Sequence, residues 1–451
     1  MDKANQEMNQ NKVLSAFMGV DIPPYGDILN CMHCGLCLSV CPTYSLTRLE
    51  KANPRGRISL IKAVAEGELA ITDGFVDAMN YCLNCRACES ACPAGVKYGE
   101  LQEAARAQIE ISQHGTIPGR LFKKFMLETV FTSSFLLKTM GYSLWFYQKT
   151  GMQWLVRSSR VLEFLLPSLA RLEGLSPEIK RPFSDQSIPE QWKPEAKPRY
   201  RVGLLTGCIM NMAFPDVNQD TAEVLIYNDF EVITPKDQVC CGSLHGHNGD
   251  LATARKLARK NIEVFEKAQV DYIIINSAGC GSFMKTYAHL LREEPEYAQR
   301  AKMFEDKVKD VSEFLLMTGF KKPDHPIPLK ATYDDACHLL HGQGISQQPR
   351  DLLNAIPGLE LVELEEASWC CGSAGIYNIV HYDDSMKILD RKMDHIKETQ
   401  APLVITGNPG CLVQLNYGIK RHQYKGKAIH PVTLLNMAYK GEQPEISEKQ
   451  N

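Results

Sequence analysis

The chain has 451 residues, of which 44% are hydrophobic and 23% are charged, and its formal net charge is -3. This length suggests about two to four domains. A charge so close to neutral gives no electrostatic case for nucleic-acid binding. Residues 1–12 are polar and contain no apolar signal-peptide core, so we expect a cytoplasmic protein.

Cysteine is the unusual residue of this chain. Structural disulfides are rare in a reducing cytosol, where grouped cysteines more often indicate metal or redox chemistry. The 16 cysteines fall into four quartets with none left over. The quartets are Cys31, Cys34, Cys37 and Cys41; Cys82, Cys85, Cys88 and Cys92; Cys208, Cys240, Cys241 and Cys280; and Cys337, Cys370, Cys371 and Cys411.

The first two quartets share the spacing C-x2-C-x2-C-x3-C followed by proline, which is typical of bacterial two-cluster ferredoxins. Three thiolates on a winding loop bind one cubane, and the fourth ligates the other cluster. The spacing therefore predicts two [4Fe-4S] clusters with exchanged fourth ligands. We name the predicted ligand sets site A (Cys31, Cys34, Cys37 and Cys92) and site B (Cys82, Cys85, Cys88 and Cys41).

Zinc is the alternative for these cysteines, since structural zinc sites pair two C-x2-C knuckles. Such sites do not require a third and a fourth cysteine before a proline, so clusters are favoured. Forty residues with a helical pattern, including Ile58 and Ile61, separate the two motifs, as in alpha-helical ferredoxins. Arg55 and Arg57 lie in this interval. They belong either beside an anionic cluster, whose reduced state they would favour, or in a solvated turn.

The middle of the chain, over residues 118–172, has the pattern of several helices rich in aromatic residues. Charges interrupt it too often for a membrane-spanning helix, which needs about 20 mostly apolar residues. The aromatic residues over 121–156 indicate either packing against protein, which is the commoner use, or peripheral association with a membrane. A proline-rich polar stretch over 177–198 then predicts a linker.

The last two quartets indicate an internal repeat. Their matching cysteines are offset by 129, 130, 130 and 131 residues, and Cys-Cys-Gly-Ser recurs at 240–243 and 370–373. Short apolar runs at 201–206, 272–276 and 402–406 predict buried strands, each followed by a Gly-Cys step and a helical pattern. We predict α/β units whose four thiols meet at one sheet edge.

These repeats resemble the cysteine-rich CCG domains of heterodisulfide reductase subunits. That family's pattern ends in C-x-x-C, whereas Ser277 and Asn408 occupy the first of those positions here. Four thiols per repeat still suffice for a further cluster, a zinc ion or a redox dithiol, or they are a structural remnant; metal or cluster binding is favoured. His245 and His247 are expected to be hydrogen-bonded structural residues rather than ligands.

Two ferredoxin motifs, a helical linker and two CCG repeats, in that order, resemble the family of bacterial glycolate oxidase iron-sulfur subunits. The resemblance rests on CMHCGLCLSVCPTY, NPRGRISLIKAV, CLNCRACESACPAGVKYGEL, CCGSLHG, NSAGCGSF, CCGSAGIYN and NPGC. The architecture also resembles the iron-sulfur subunit of anaerobic glycerol-3-phosphate dehydrogenase and lactate-utilisation proteins. It implies an α+β multidomain fold, with an alpha-helical ferredoxin domain at 1–110, a helical linker at 111–198 and α/β CCG repeats at 199–320 and 321–445.

The resemblance also implies a division of labour. A separate FAD subunit would oxidise glycolate or another 2-hydroxy acid, and this chain would pass the electrons singly to a quinone or another acceptor, placing it at the inner face of the cell membrane. No GxGxxG sequence opens a strand-turn-helix unit, so we expect no flavin here and no turnover by this chain alone. Two alternatives stay open. A thiol/disulfide enzyme is disfavoured by the missing C-x-x-C endings, and a zinc-stabilised scaffold by the ferredoxin spacing.

Overall fold

The computed structural model describes residues 17–159, 162, 164 and 166–446, and the polar segment 1–12 lies outside them. The chain divides into two compact units. The first comprises Met1–Phe125 and Ser243–Ala254, and the second comprises Met126–Gly242 and Arg255–Asn451. The sequence assigned residues 243–254 to the first CCG repeat, whereas their contacts group them with the ferredoxin part.

The ferredoxin part of the first unit is helical, as predicted. A 3-10 turn at Glu50–Ala52 adds to its helices. These are α1 (Tyr25–Leu29), α2 (Pro42–Thr47), α3 (Pro54–Ala65), α4 (Asp73–Asn80), α5 (Ala87–Ser90), α6 (Tyr98–Ile111) and α7 (Ile117–Lys124).

Helix α3 follows from the sequence of the interval between the motifs. The Asn53 side chain accepts a hydrogen bond from Gly56 N, and a proline occupies the first helical turn. Gly56 cannot carry a side chain, because a Cβ there would lie 2.0 Å from the backbone oxygen of Glu50. Ile61 and Val64 on one face are fully buried in the core of this unit. The helix thereby holds the loop of the first motif against α4 and α6.

The linker also forms the predicted helices. A π-helix at Phe125–Val130 precedes α8 (Ser134–Lys149), α9 (Met152–Ser159), α10 (Pro167–Gly174) and α11 (Ser184–Ser187). Its aromatic residues divide between two environments: Phe135 and Trp154 are exposed, whereas Trp145 is partly buried in a cluster around Phe183. Within the described ranges, no helix is both long and apolar enough to cross a bilayer.

The first CCG repeat is an α/β unit around a five-stranded sheet with the order β1-β3-β2-β4-β5. All pairs are parallel except the one between β1 and β3. The strands are β1 (Gln191–Trp192), β2 (Arg201–Leu204), β3 (Glu231–Ile233), β4 (Tyr272–Ile275) and β5 (Val308–Asp310). The helices are α12 (Ile209–Ala213), α13 (Pro215–Tyr227), α14 (Ser243–His247), α15 (Leu251–Lys267), α16 (Ala278–Met284), α17 (Tyr287–Leu290), α18 (Ala298–Lys307) and α19 (Val311–Thr318).

Strand β1 differs from the expectation. The sequence predicted only a linker over 177–198, but Gln191 and Trp192 pair antiparallel with Ile233 and Val232 at the edge of this sheet. A two-residue strand has no periodicity to detect, and its surrounding prolines favour a loop. The strand forms because β3 would otherwise leave unpaired backbone groups at an open edge.

The second repeat has a four-stranded, fully parallel sheet with the order β7-β6-β8-β9. Its strands are β6 (Lys330–Tyr333), β7 (Glu360–Val362), β8 (Leu403–Ile405) and β9 (Lys427–Ile429). Its helices are α20 (Cys337–Gln343), α21 (Gln347–Asn354), α22 (Tyr377–Val380), α23 (Tyr382–Thr399), α24 (Pro409–Arg421) and α25 (Pro431–Lys440). The α+β fold and its repeated α/β units are therefore confirmed.

The two repeats share one hydrophobic core within the second unit. Tyr439 of α25 stacks on Tyr227 of α13, with ring centroids 4.0 Å apart. Strand residues from both sheets, such as Val202 and Ile405, belong to the same buried cluster. In each parallel sheet, the loops that follow the carboxyl ends of neighbouring strands meet at one edge. The cysteines of the third and fourth quartets lie on these loops or in the first turns of the helices that follow them.

Candidate metal centres

Site A forms around the loop of the first ferredoxin motif. One cavity is lined by Cys31, Cys34 and Cys37 together with Cys92 of the second motif. The loop winds through left-handed backbone at His33 and Gly35, with φ of 54° and 87°. Such a loop can direct three sulfurs to one point. The structure therefore brings the four cysteines of site A to one cavity, which Cys88 also borders.

Site B gathers the other four cysteines in a more buried place. Burial, followed by the charges of neighbouring groups that include Cys85, Cys82 and Cys41, raises the pKa of the Cys88 thiol well above its usual value. Cys41, although it belongs to the first motif, is thus an electrostatic neighbour of the second motif's thiols. Two groups donate hydrogen bonds to Cys82 Sγ: Asn84 N at 3.3 Å and the Tyr98 hydroxyl at 3.6 Å.

The two arginines between the motifs have different environments. Arg55 is partly exposed, and its guanidinium forms an ion pair with Glu50 at 2.6 Å. Arg57 is fully buried, donating from Nε to Ala78 O and from Nη2 to Thr43 Oγ1. A solvated turn was one of the two locations that the sequence left open for these arginines. It applies only in part to Arg55, which is partly exposed, and it does not apply to Arg57, which is buried.

The surroundings of Arg57 test whether an anionic cluster fits site B. Its Nη1 atom is buried and has no hydrogen-bond partner among the described residues. Burial alone would lower the pKa of Arg57, but the charges of Cys82, Tyr98 and Cys41 raise it overall. A buried cation beside thiol groups and without a carboxylate partner is costly unless an anion is present. The residues of site B therefore fit an anionic thiolate-ligated centre.

The four thiols of the first CCG repeat lie together. Cys208 caps the N-terminus of α12 after β2, Cys280 lies in α16 after β4, and the Sγ atoms of Cys208 and Cys240 are 3.6 Å apart. Hydrogen bonding with Cys240 and burial raise the pKa of Cys208 well above its usual value. Cys241 hydrogen-bonds with both Cys240 and Cys280. The four sulfurs form a continuous series of contacts.

The second repeat reproduces this arrangement at its own sheet edge. Hydrogen bonding with Cys337 raises the pKa of Cys370, and hydrogen bonding with Cys370 raises that of Cys371. Cys371 is likewise the largest influence on Cys411, whose pKa is also raised. Raised pKa values disfavour the free thiolate form that a nucleophilic dithiol requires. A metal that binds the thiolate form suits such a donor set better.

Two residues that replace the missing cysteines contact the retained ones. Asn408 Nδ2 donates to Cys411 Sγ at 3.5 Å. Hydrogen bonding with Cys241, and then with Ser277, lowers the pKa of Cys280 against the effect of burial. The sequence identified these positions only as departures from a family pattern. The structure adds that both are polar neighbours of a candidate ligand.

His247 is hydrogen-bonded, as predicted. Its Nδ1 atom lies 2.8 Å from Glu103 Oε1 and 3.1 Å from Asn84 Nδ2, and its Nε2 atom lies 3.0 Å from Ser243 Oγ. Asn84 belongs to the second ferredoxin motif. The sequence did not predict these hydrogen bonds of His247 or its contact with Arg106. No local pattern connects such residues, because more than 140 residues of chain separate Arg106 from His247.

Comparison with protein families matches most of the chain. A model described as a 4Fe-4S dicluster domain matches residues 27–96, and one described as the linker region of the glycolate oxidase iron-sulfur subunit matches residues 118–176. A model described as a cysteine-rich domain matches twice, at residues 202–285 and 331–416. The matches therefore follow the order of the motifs along the chain.

Curated relatives match most or about half of this chain. A probable glycolate oxidase iron-sulfur subunit of Bacillus subtilis is 40% identical over 416 residues, 91% of this chain and 94% of that protein. The glycolate oxidase iron-sulfur subunit of Escherichia coli is 28% identical over 388 residues, 85% of this chain and 89% of that protein. Lactate utilization protein A of Halalkalibacterium halodurans is 33% identical over 237 residues, only 52% of this chain but 96% of that protein.

Proposed function

The chain belongs to the family of glycolate oxidase iron-sulfur subunits, and on that premise we propose that it carries electrons from an FAD subunit that oxidises glycolate to a quinone or another acceptor. As a member of this family it is an iron-sulfur component of an oxidoreductase and not a standalone enzyme. The shorter match to a lactate-utilisation protein supports lactate only as a second candidate substrate.

The observation that supports this proposal is that cysteines from the two ferredoxin motifs lie close to one another. Cys92 borders the same cavity as Cys31, Cys34 and Cys37, and Cys41 acts on the thiol of Cys88. We propose that site A and site B each hold one [4Fe-4S] cluster. Each cluster would accept and release one electron at a time, which suits a chain between a two-electron flavin and an acceptor.

The division of labour is tested with the chain purified anaerobically in its cluster-loaded state. Because it would lack the flavin that accepts the hydride, we expect no reduction of a dye by glycolate. Addition of the FAD subunit that copurifies with the native complex should restore dye reduction. Turnover by the pure, flavin-free chain would contradict the proposal, and comparison of glycolate, lactate and glycerol 3-phosphate in the complete complex identifies the substrate.

The exchanged ligands are tested with a mirrored pair of variants. We expect Cys41→Ser to disrupt the cluster of site B, because a serine hydroxyl is a poor replacement for a thiolate, and to leave the cluster of site A. Cys92→Ser should do the reverse. Redox titration followed by EPR distinguishes the two clusters. Loss of site A in Cys41→Ser would show instead that each motif supplies all four ligands of its own cluster.

We also propose a metal centre at each CCG repeat, a further cluster or a zinc ion, held by Cys208, Cys240, Cys241 and Cys280 and by Cys337, Cys370, Cys371 and Cys411. The four sulfurs of each repeat are in contact, and their largely raised pKa values disfavour a free nucleophilic thiol. Four cysteine sulfurs are a donor set that suits either an iron-sulfur cluster or a zinc ion.

Metal analysis of the full chain tests these centres. We expect Cys370→Ser to lose the metal of the second repeat only, with the EPR spectra of sites A and B unchanged. Cys240→Ser is the matched variant in the first repeat. Iron, zinc and acid-labile sulfide are measured for each variant. Unchanged metal and sulfide contents in both variants would leave the repeats without a metal role.

Peripheral membrane association is proposed for the linker. Its exposed Phe135 and Trp154 would rest on the bilayer. Two of its cations are already paired with acidic side chains, Lys149 with Glu178 and Arg157 with Glu173. Apolar contact would therefore contribute more than attraction to anionic lipid.

Flotation with liposomes at low salt measures this association. We expect the purified chain to float, and the double variant Phe135→Ser with Trp154→Ser to float several-fold less. Met303→Ser, which removes an exposed apolar side chain from α18, is the control and should bind as the native chain does. Absence of flotation with both neutral and anionic liposomes would rule out direct association.

A further inference from the structure

Two guanidinium groups lie beside site B without a full complement of partners. Arg57, in α3, is fully buried, and Arg106, in α6, is partly buried. Each has one buried nitrogen, Nη1 of Arg57 and Nε of Arg106, that lacks a hydrogen-bond partner among the described residues.

Hydrogen bonds hold the Arg57 guanidinium near Cys41, a predicted ligand of site B. Its Nη2 donates to Thr43 Oγ1, and that hydroxyl lies 3.3 Å from Cys41 Sγ. Its Nε donates to Ala78 O at 2.7 Å. Neither of these two acceptors is a carboxylate, so the contacts leave the positive charge of Arg57 without an acidic counterpart.

Arg106 contacts the backbone of Cys82, another predicted ligand of site B. Its Nη2 donates to Cys82 O at 2.6 Å and to Met79 O at 3.0 Å. Its Nη1 donates to His247 O at 2.7 Å. Arg106 is less buried than Arg57, so water screens its charge more. Of the two cations, Arg57 is thus the one with the larger expected effect.

Among the described residues that line its cavity, site A has no fully buried cation. The arginine at this cavity is Arg55, whose guanidinium Glu50 binds through both carboxylate oxygens and whose side chain is 28% exposed. Cys34, Met32 and Leu36 on the loop are exposed as well. Water screens charges at such a place, so cations there stabilise a reduced cluster less than buried cations do.

We propose that Arg57 and Arg106 raise the reduction potential of the site B cluster above that of the site A cluster, so that electrons enter at site A and collect at site B. This inference rests on the proposed function, because it needs a cluster at each site. A cubane with four thiolates is an anion, and reduction adds one more negative charge. A buried cation stabilises the reduced form more than the oxidised form and so raises the potential.

The transfer between the two clusters moves a single electron. One electron leaves the reduced cluster of site A, which becomes oxidised, and enters the oxidised cluster of site B, which becomes reduced. No bond forms or breaks, and no proton is required. The surface position of the site A loop makes it the side that an electron donor can reach, and the buried cations make site B the side where the electron is more stable.

Redox titration of the cluster-loaded full chain, followed by EPR, tests the proposal. The Cys41→Ser spectrum identifies which signal belongs to site B. In the native chain we expect site B to have the higher midpoint potential. Arg57→Gln should lower the reduced-to-oxidised ratio of site B at least tenfold at a fixed potential, which is about 59 mV for a one-electron couple. Site A should change far less.

Arg55→Gln is the matched control, two residues away, and should leave the site B potential within experimental error. Arg57→Lys should restore most of the potential, because it returns the charge without the hydrogen-bond geometry. If Arg57→Gln does not retain the cluster, the other two variants test the proposal. Arg106→Gln must then lower the site B potential, and Arg57→Lys must keep that potential close to the native value.

A native site B potential at or below that of site A would overturn the proposal. So would variants that retain the cluster with an unchanged site B potential. Failure of the proposed function looks different, because the native chain would then show no pair of [4Fe-4S] signals on reduction, and no potential could be assigned to either site.

Discussion

The crowding of sulfur atoms is the constraint on which the rest of this structure depends. Four thiolates at one point repel one another, and burial adds a desolvation cost to each charge. The raised pKa values of Cys208 and Cys370, caused by hydrogen bonding with a neighbouring thiol and by burial, express this conflict. A metal centre resolves it, because it binds the thiolate form and neutralises most of the charge. Each surrounding feature either brings sulfurs together or helps to stabilise their charge.

The two units stabilise that charge by partly different means. Beside site B, the ferredoxin unit adds the cations Arg57 and Arg106 to a backbone donor, Asn84 N. The repeats use backbone dipoles: Gly242 N donates to Cys240 Sγ and Gly372 N to Cys370 Sγ, both at 3.5 Å. These two glycines have φ of 86° and 89°, which favours glycine in the third position of Cys-Cys-Gly. Amide dipoles favour a thiolate less strongly than a buried guanidinium, so the two kinds of site are built for different charges.

Much of this architecture can be predicted from the sequence because its determinants are local. Cysteine spacing, a 130-residue repeat and short apolar runs indicate the ferredoxin part and the two α/β repeats. The contrast between Arg55 and Arg57 was also within reach. Residues two apart on a helix differ by about 200° around its axis, so both cannot face the core. Arg57 shares the face of Ile61 and Val64, at i+4 and i+7. The contact of Arg106 with His247 lay beyond reach, because no local pattern links residues so distant in the chain.

The substitutions at the end of each repeat bear on what the repeats can do. A disulfide-cleaving centre must bind a substrate sulfur, so its ligand set must be able to change. Here Asn408 Nδ2 donates to Cys411 Sγ, and hydrogen bonding with Ser277 helps to lower the pKa of Cys280. Hydrogen bonds to a ligating sulfur withdraw charge from it and raise the potential of the centre. They also hold the sulfur in place, so the ligand is less free to move aside for a substrate. Polar replacements at these two positions therefore favour a fixed centre that passes electrons over one that performs bond chemistry.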